Sequence, residues 1–526
     1  MEKNSIIIYF FIILFIIQIS QRRGFLFSVI IPVYNTGRYL NEAIFSLFNQ
    51  TIGFKNIQII LVNDGSIDQT EEISLKYQKA YPNNIIYIKI EHGGVSKARN
   101  KGIQYATGKY ITFLDPDDKW DSSAFNYISL FFQNNKNIEL VAARLKFFEL
   151  IEKFHPLDYK FYKTRIVNLN KEYNCIQLSA SSSIFKASLI KGNKFGDDIS
   201  FFEDAKLINS ILLLNPIIGF IREAIYYCRK RADLTSNTQN NNKKIDYYSY
   251  TLKNAHQYLL DYSNKIYKIA LPFIQFLVSY DILFRISSPA YKFLDKNNLN
   301  KYCDLIDNLL KQIDDKYILE QKIASYKIKI FSLSRKYRKD LRYNLTFENE
   351  SCIYSNHTVI DFKNHNFIVW RFLEIKSQLL HLEGKDNFWM PREKYFYFCK
   401  FGNKTFFPQF YHYSGYDFST IYGIIEEGRI VSFDIPLENI NIQIFHFYIS
   451  YDDKIIEIFP SLGWFTHIPS IKNGYYISNH YIAKYINKRL TIFINNKKLG
   501  KLFEKQYDEQ LKKEGKDYII KMKFGL

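Results

Sequence analysis

From Phe27 to about Ile90 the chain alternates between two hydrophobic periods. Apolar runs at residues 27–33, 57–62 and 85–90 read as buried strands, and residues 110–114 supply a fourth. Between the first two, Leu40, Ile44, Leu47 and Phe48 fall at helical spacing, with polar Asn41, Glu42 and Asn49 on the other face. Residues 64–70 form a turn running into a helix, with Ser66 or Asp68 as its cap. Apolar strands alternating with short helices predict an α/β fold whose mostly parallel sheet is covered on both faces. Residues 139–149 read as a further strand, while 179–191 and 204–214 read as helical segments closing this domain near residue 237. Residues 237–244 are a polar linker. Helical periodicity then dominates 244–340, as in Leu305, Ile306, Leu309, Leu310 and Ile313. From about Arg342, short β-branched and aromatic strands such as 428–436 and 489–494 predict a β-sandwich-like module over 342–526, with one late helix at 503–513.

Ligands of such sheets bind beyond the C-terminal ends of the strands, where Asn35, Asp64, His92 and Asp115 all stand. The fourth strand ends in Asp115-Pro-Asp117-Asp118. Carboxylates crowded there repel one another and are costly to desolvate, so they need a cation. Asp-x-Asp on a sharp turn offers hard oxygens to Mg²⁺ or Mn²⁺ bridging a diphosphate. Taken alone, the segment is equally a solvated acidic turn.

The first loop, Pro32-Val-Tyr34-Asn35, lacks the G-x-G-x-x-G of a dinucleotide fold, which weighs against a dehydrogenase. Tyr34 offers a ring to a base, and Pro32 fixes the backbone beside it. Asp64 can accept from a uracil N–H or a ribose hydroxyl, or simply cap its helix. Gly93-Gly94 opens a helix carrying Lys97, Arg99 and Lys101: backbone N–H groups and a guanidinium suited to a diphosphate, or a generic basic helix. Glu203-Asp204 heads another helix, where one carboxylate can serve as general base, although acids are common at helix starts. Residues 226–236 gather Arg229, Arg231 and hydroxyls after a strand, as a clamp for leaving diphosphate or an anionic acceptor, or as a solvated loop.

Charge sharpens the choice of partner. With 71 Lys+Arg against 52 Asp+Glu, the formal net charge is +19 over 526 residues. That excess favours phospholipid headgroups, a phosphate-bearing acceptor or a nucleotide. The basic residues are scattered and no nucleic-acid motif is present, so nucleic acid is not expected. Five cysteines without a Cys-x-x-Cys pair indicate neither a zinc site nor a disulfide framework, and fit a reducing compartment. Residues 5–19 are almost continuously apolar, about 15 residues where a bilayer needs about 20. No small-residue cleavage site follows. Segment 1–23 therefore reads as a short membrane anchor rather than a cleaved signal or buried helix. Arg22-Arg23 would keep the bulk of the chain on the cytosolic side.

These segments, in this order and spacing, resemble a family 2 glycosyltransferase of the GT-A fold. The matching words are Ser28-Val-Ile-Ile-Pro-Val-Tyr-Asn35, Val62-Asn-Asp-Gly-Ser66 with Asp68 and Thr70, Gly93-Gly-Val-Ser-Lys-Ala-Arg-Asn100 with Gly102, Gly108-Lys-Tyr-Ile-Thr-Phe-Leu-Asp-Pro-Asp-Asp118 with Trp120, and Glu203-Asp204. They cover about residues 27–237. The resemblance implies an inverting transferase using a nucleotide-activated sugar, commonly UDP-linked, with Mn²⁺ or Mg²⁺. Asp64 would recognise the uridine, with Pro32, Tyr34, His92 and Arg99 in the same nucleotide-sugar site. Asp115 and Asp117 would be the Asp-x-Asp pair, Asp117 the direct metal ligand and Asp118 a lesser candidate. Asp204 would be the base, supported by Glu203. Arg229, Arg231 and Ser236 fall in the basic segment after the last core strand, as in members that modify wall teichoic acid or build phosphate-rich polymers. Residues 274–281 resemble the helical region C-terminal to the transferase domain in such proteins, and the β-rich module resembles their trailing one. His92 departs from the pattern, since relatives often carry Asn there. The acceptor implied is a hydroxyl on a glycan, polymer or protein, anionic acceptors included, and a homo-oligomer is left open. Two other readings stand beside this one: a non-catalytic glycan-binding protein on the same scaffold, and a nucleotidyl or glycerophosphoryl transferase.

Overall fold

Residues Phe27–Val33 (β1) are buried at every position, as a strand with parallel neighbours on both sides must be. In this computed structural model the described residues are 24–494, less 197–198, 234, 236–243, 289–291, 439, 441, 463–470, 473–474, 478–480 and 487. The expected anchor (1–23), Ser236, most of the linker and the late helix at 503–513 lie outside them. No described helix is long and apolar enough to cross a membrane.

The remaining strands of the first sheet are β2 (Ile57–Asn63), β3 (Ile85–Lys89), β4 (Tyr110–Phe113), β5 (Lys119–Trp120), β6 (Leu140–Glu149), β7 (Lys153–Phe154), β8 (Arg165–Asn168), β9 (Ser183–Lys186) and β10 (Ile217–Lys230). Their order is β3-β2-β1-β4-β9-β6-β10-β5, with β7 on β6 and β8 on β10. The first four are parallel, whereas β9 runs antiparallel between β4 and β6. Helices α1 (Gly37–Phe48), α2 (Thr70–Ala80), α3 (Val95–Tyr105), α4 (Ala124–Asn134), α5 (Ala187–Lys191) and α6 (Glu203–Leu214) connect the strands. Leu40, Ile44 and Leu47 of α1 join Val29, Ile31, Ile59 and Leu61 in one core, as the spacing predicts. This is the α/β, GT-A-type arrangement.

Two local expectations need correction. Residues 179–191 do not form a helix: Ser183–Lys186 is a strand paired with β4 and β6, and only Ala187–Lys191 is helical. Ile184 and Phe185 are both fully buried within the sheet, and so short an apolar run carries no period that separates the two conformations. The basic stretch from Tyr226 is likewise no loop at its start, since β10 continues to Lys230 and places Tyr226 and Arg229 inside the protein.

The chain forms two compact units, Met1–Ile282 with Phe293–Tyr317, and Leu283–Lys292 with Ile318–Leu526. Residues 244–340 are shared between them. In the second unit, strands Ile368–Lys376, Leu379–Asp386 and Gly423–Pro436 build one antiparallel sheet, and Tyr395–Phe401 and Ile442–Tyr451 belong to another. Trp370 and Phe433 of the first sheet pack on Phe447 of the second, with centroids 5.3 and 5.5 Å apart. That face-to-face packing is the sandwich expected from the alternating pattern.

Candidate active site

The three carboxylates after β4 have three different fates. Asp118 turns inward: its Oδ2 accepts from the Tyr226 hydroxyl (2.8 Å) and its Oδ1 from the Arg229 N–H (2.7 Å). Burial first, then the charges of Asp117 and Asp115, push its carboxyl well above the ordinary range. It fastens the turn to β10. Asp115 accepts from Arg99 Nη2 through Oδ1 (3.1 Å) and from the Ser181 hydroxyl through Oδ2 (3.1 Å). Asp117 meets Arg231, whose Nε and Nη2 lie 2.8 and 2.6 Å from one oxygen, Oδ2, leaving Oδ1 outside the pair. Burial, assisted by the charge on Asp115, raises the Asp117 carboxyl against the pull of Arg231.

Arg99 is the hub. It is 3% exposed and projects from α3 on the same buried face as Gly102 and Ile103. Its Nη1 donates to Asp204 Oδ1 (2.6 Å) and Glu203 Oε1 (3.0 Å), so the acidic turn after β4 and the first turn of α6 share one guanidinium. Burial alone would depress its pKa, but Asp204, Asp115 and Glu203 outweigh that and hold it above the ordinary value. The second oxygen of Asp204 accepts from the Ala180 N–H at 2.9 Å. Burial raises the Asp204 carboxyl while Arg99 opposes the rise. Burial and then the Asp204 charge push Glu203 up to about 7. The turn at 179–182 thus serves both the metal-side and the base candidate, Ser181 holding Asp115 and Ala180 holding Asp204. Sequence reasoning missed it by reading 179–191 as helical, because the run of small serines does not show that the residues after it pair as a strand.

The expected diphosphate cradle at the start of α3 is not formed. The Gly93 and Gly94 N–H groups donate instead to the two oxygens of Asp64, at 2.7 and 2.9 Å. Gly94 has φ +90°, a conformation open to glycine, which lets both N–H groups face one carboxylate. His92 Nδ1 lies 3.0 Å from Asp64 Oδ2, and its ring stacks on Tyr34 with centroids 4.3 Å apart. Tyr34 is 45% and the His92 side chain 58% exposed, so the stack borders solvent beside Asp64. Pro32 lies within β1, opposite Val62. Asn35, at φ +50°, ties the first loop to the second: its N–H donates to the Ser66 hydroxyl and its Oδ1 accepts from Ile67. Asp68 adds bonds from Gly37 and Thr70.

Arg229 is committed to carboxylates. It pairs with Glu42 and Glu149 and donates from Nε to the Asp117 carbonyl (2.7 Å). Arg231, one residue past β10, is the cation that meets the Asp117 side chain.

Residues 28–192 match the model of glycosyl transferase family 2. The minor teichoic acid biosynthesis protein GgaB of Bacillus subtilis is 32% identical over 481 residues, covering 90% of this chain and 52% of GgaB. GgaA of the same organism, also named for minor teichoic acid biosynthesis, is 35% identical over 312 residues, 57% of this chain and 70% of GgaA. The chain belongs to glycosyl transferase family 2. It spans about half the length of GgaB. A crystal structure of TarS from S. aureus aligns with 89% of this chain and 85% of that one at 15% identity and a TM-score of 0.46, too slight a likeness to argue from.

The metal expected of this family 2 glycosyltransferase meets a partial donor set. Among the described residues no three His, Cys, Asp or Glu side chains cluster as a cage. Asp117 presents one hard oxygen outside its ion pair, next to Asp115. One or two carboxylates completed by substrate phosphates and water are how Mg²⁺ is usually held, so the residues present fit.

Proposed function

We propose that this chain is an inverting glycosyltransferase that moves a sugar from a nucleoside-diphosphate sugar, UDP-linked, to a hydroxyl on an anionic wall polymer. The observation that carries the reading is the Arg99 bridge between Asp115 and Asp204, which gathers a metal-side carboxylate and a base at the C-terminal end of one strand. The net charge of +19 and the names of GgaB and GgaA support the polymer.

In this reading the Tyr34–His92 stack supplies a face for the base, and Asp64 lies beside it. Asp64 Oδ1, which accepts from the Gly93 N–H, retains a lone pair for a ligand N–H or hydroxyl. Asp117, with Asp115 beside it, would hold Mn²⁺ or Mg²⁺, which when bound supplies positive charge to the diphosphate. Arg231, the side chain that meets Asp117, adds a guanidinium suited to phosphate oxygens. Asp204, whose ionised form Arg99 favours against burial, takes the proton from the acceptor hydroxyl as its oxygen attacks the anomeric carbon. The bond to the nucleoside diphosphate breaks on the opposite face, and the configuration inverts. Glu203 supports Asp204 as a neighbouring store for the proton. Residues 5–19 would hold the enzyme at a membrane with its catalytic unit on the cytosolic side.

Purified protein incubated with a panel of nucleotide sugars, Mn²⁺ and wall-polymer acceptors tests this. Release of nucleoside diphosphate that is abolished in Asp204→Asn is the expected result. Donor binding without turnover would favour a glycan-binding scaffold. Transfer of a nucleotidyl or glycerophosphoryl group would favour the other class of transferase.

A further inference from the structure

Phe202, the residue before Glu203, has φ +69°, the left-handed region in which a bulky side chain is a genuine outlier. It caps the helix that begins with the two carboxylates, yet its side chain makes no capping hydrogen bond. Such a conformation persists only where the surroundings over-determine it. Here the Phe202 ring stacks on His256, with centroids 4.4 Å apart and planes 25° from parallel.

His256 is fully buried. Its Nε2 lies 2.8 Å from Asp281 Oδ2, off the hydrogen-bond axis, and its Nδ1 lies 3.3 Å from the Thr251 carbonyl. The imidazole therefore has an oxygen at each nitrogen and little freedom to turn. It sits in Leu252–Gln257, a π-helical stretch, and such stretches concentrate at functional sites. Asp281 lies on the helix Pro272–Ile286. The catalytic reading built on Arg99, Glu203 and Asp204 gives neither His256 nor Asp281 a role.

We propose that His256, seated against Asp281, is a positioning residue for the transfer reaction. It clamps Phe202 in its left-handed conformation and thereby fixes the direction in which α6 presents Glu203 and Asp204 to Arg99. The inference rests on the reading of Asp204 as the base. Its physical basis is that a small misplacement of a reacting group is expensive in rate.

The test uses the full chain and the nucleotide sugar turned over by the wild type, with UDP binding followed by calorimetry. Phe202→Gly accepts the positive φ without strain but gives up the ring contact with His256, so its unfolding midpoint should stay close to the wild-type value. Its kcat should fall by about tenfold or more, while the donor KM and UDP affinity stay within about twofold. Phe202→Tyr, which keeps the ring on His256, should restore kcat to within about twofold of wild type. His256→Leu should reproduce the Phe202→Gly split; if it does not fold, the two Phe202 variants decide. Full kcat in Phe202→Gly, a loss matched by weaker UDP binding, or failure of Phe202→Tyr to rescue would overturn the inference. Asp204→Asn in the same assay separates the two levels. If it is inactive while Phe202→Gly is unimpaired, only the clamp is wrong. If it turns over normally, the site reading falls and the clamp with it.

Discussion

The guanidinium of Arg99 and the carboxylate of Asp204 meet at 2.6 Å from positions 105 residues apart in the chain. Because Arg99 also serves Asp115 and Glu203, its removal strands three carboxylates around one buried point. Breaking a buried charge pair from one side costs about 3–5 kcal/mol. Arg99→Met should therefore lower the urea midpoint steeply, and Arg99→Lys should recover only part of the loss, lacking the planar fork. An unchanged midpoint in Arg99→Met would mean that the network contributes nothing to the fold.

Glu203 gives a pH-dependent signature. Its carboxyl titrates near 4.5 in the unfolded chain and is pushed up to about 7 in the fold by burial and then by Asp204. Between those values the native state binds more protons, so this contribution to stability is present at low pH and lost as pH rises to about 7. Glu203→Gln lacks that loss. Chemical denaturation from pH 4.5 to 7.5 should show the variant gaining on wild type as pH increases; a constant difference would refute the assignment.

Lys160 should behave in the opposite sense. It is buried, donating to the Ile176 carbonyl and to Gln177 Oε1, and burial pushes its amine down to about 7. Between about 7 and 10.5 the unfolded chain binds more protons, so wild type should gain stability over Lys160→Met as pH rises through that window. Paired denaturation curves at pH 6.5 and 9.5 check the sign.

The ion pair of Arg231 with Asp117 places a cation against the candidate metal ligand. Arg231→Gln should strengthen Mn²⁺ binding to nucleotide-free protein, read by electron paramagnetic resonance, while weakening UDP binding in calorimetry. Asp117→Asn should weaken Mn²⁺ binding. Equal Mn²⁺ affinity in all three proteins would remove Asp117 from the metal site.

The strands and the residues at their ends were legible because a parallel sheet buried on both faces leaves unbroken apolar runs whose ends are visible, as at Asp64 and Asp115. Hydrogen-bond commitments were not. Arg99 beside Gly93-Gly94 reads as a phosphate cradle, yet Asp64 takes the two N–H groups and three acids take the guanidinium. The position of Arg99 three residues before Gly102 and four before Ile103, on one helical face, was the available sign that it points inward. Ser181, Ala180 and Tyr226 carried no such sign, because their roles depend on which strands pair and not on local sequence. His256 is legible only through the backbone of Phe202.

The most direct measurement is the turnover of Asp204→Asn with its UDP affinity determined on the same preparation. Loss of a general base predicts a fall in kcat of about a thousandfold, with UDP bound within about threefold of wild type. Turnover at the wild-type rate would contradict the assignment of Asp204 and, with it, the role given to the Arg99 bridge.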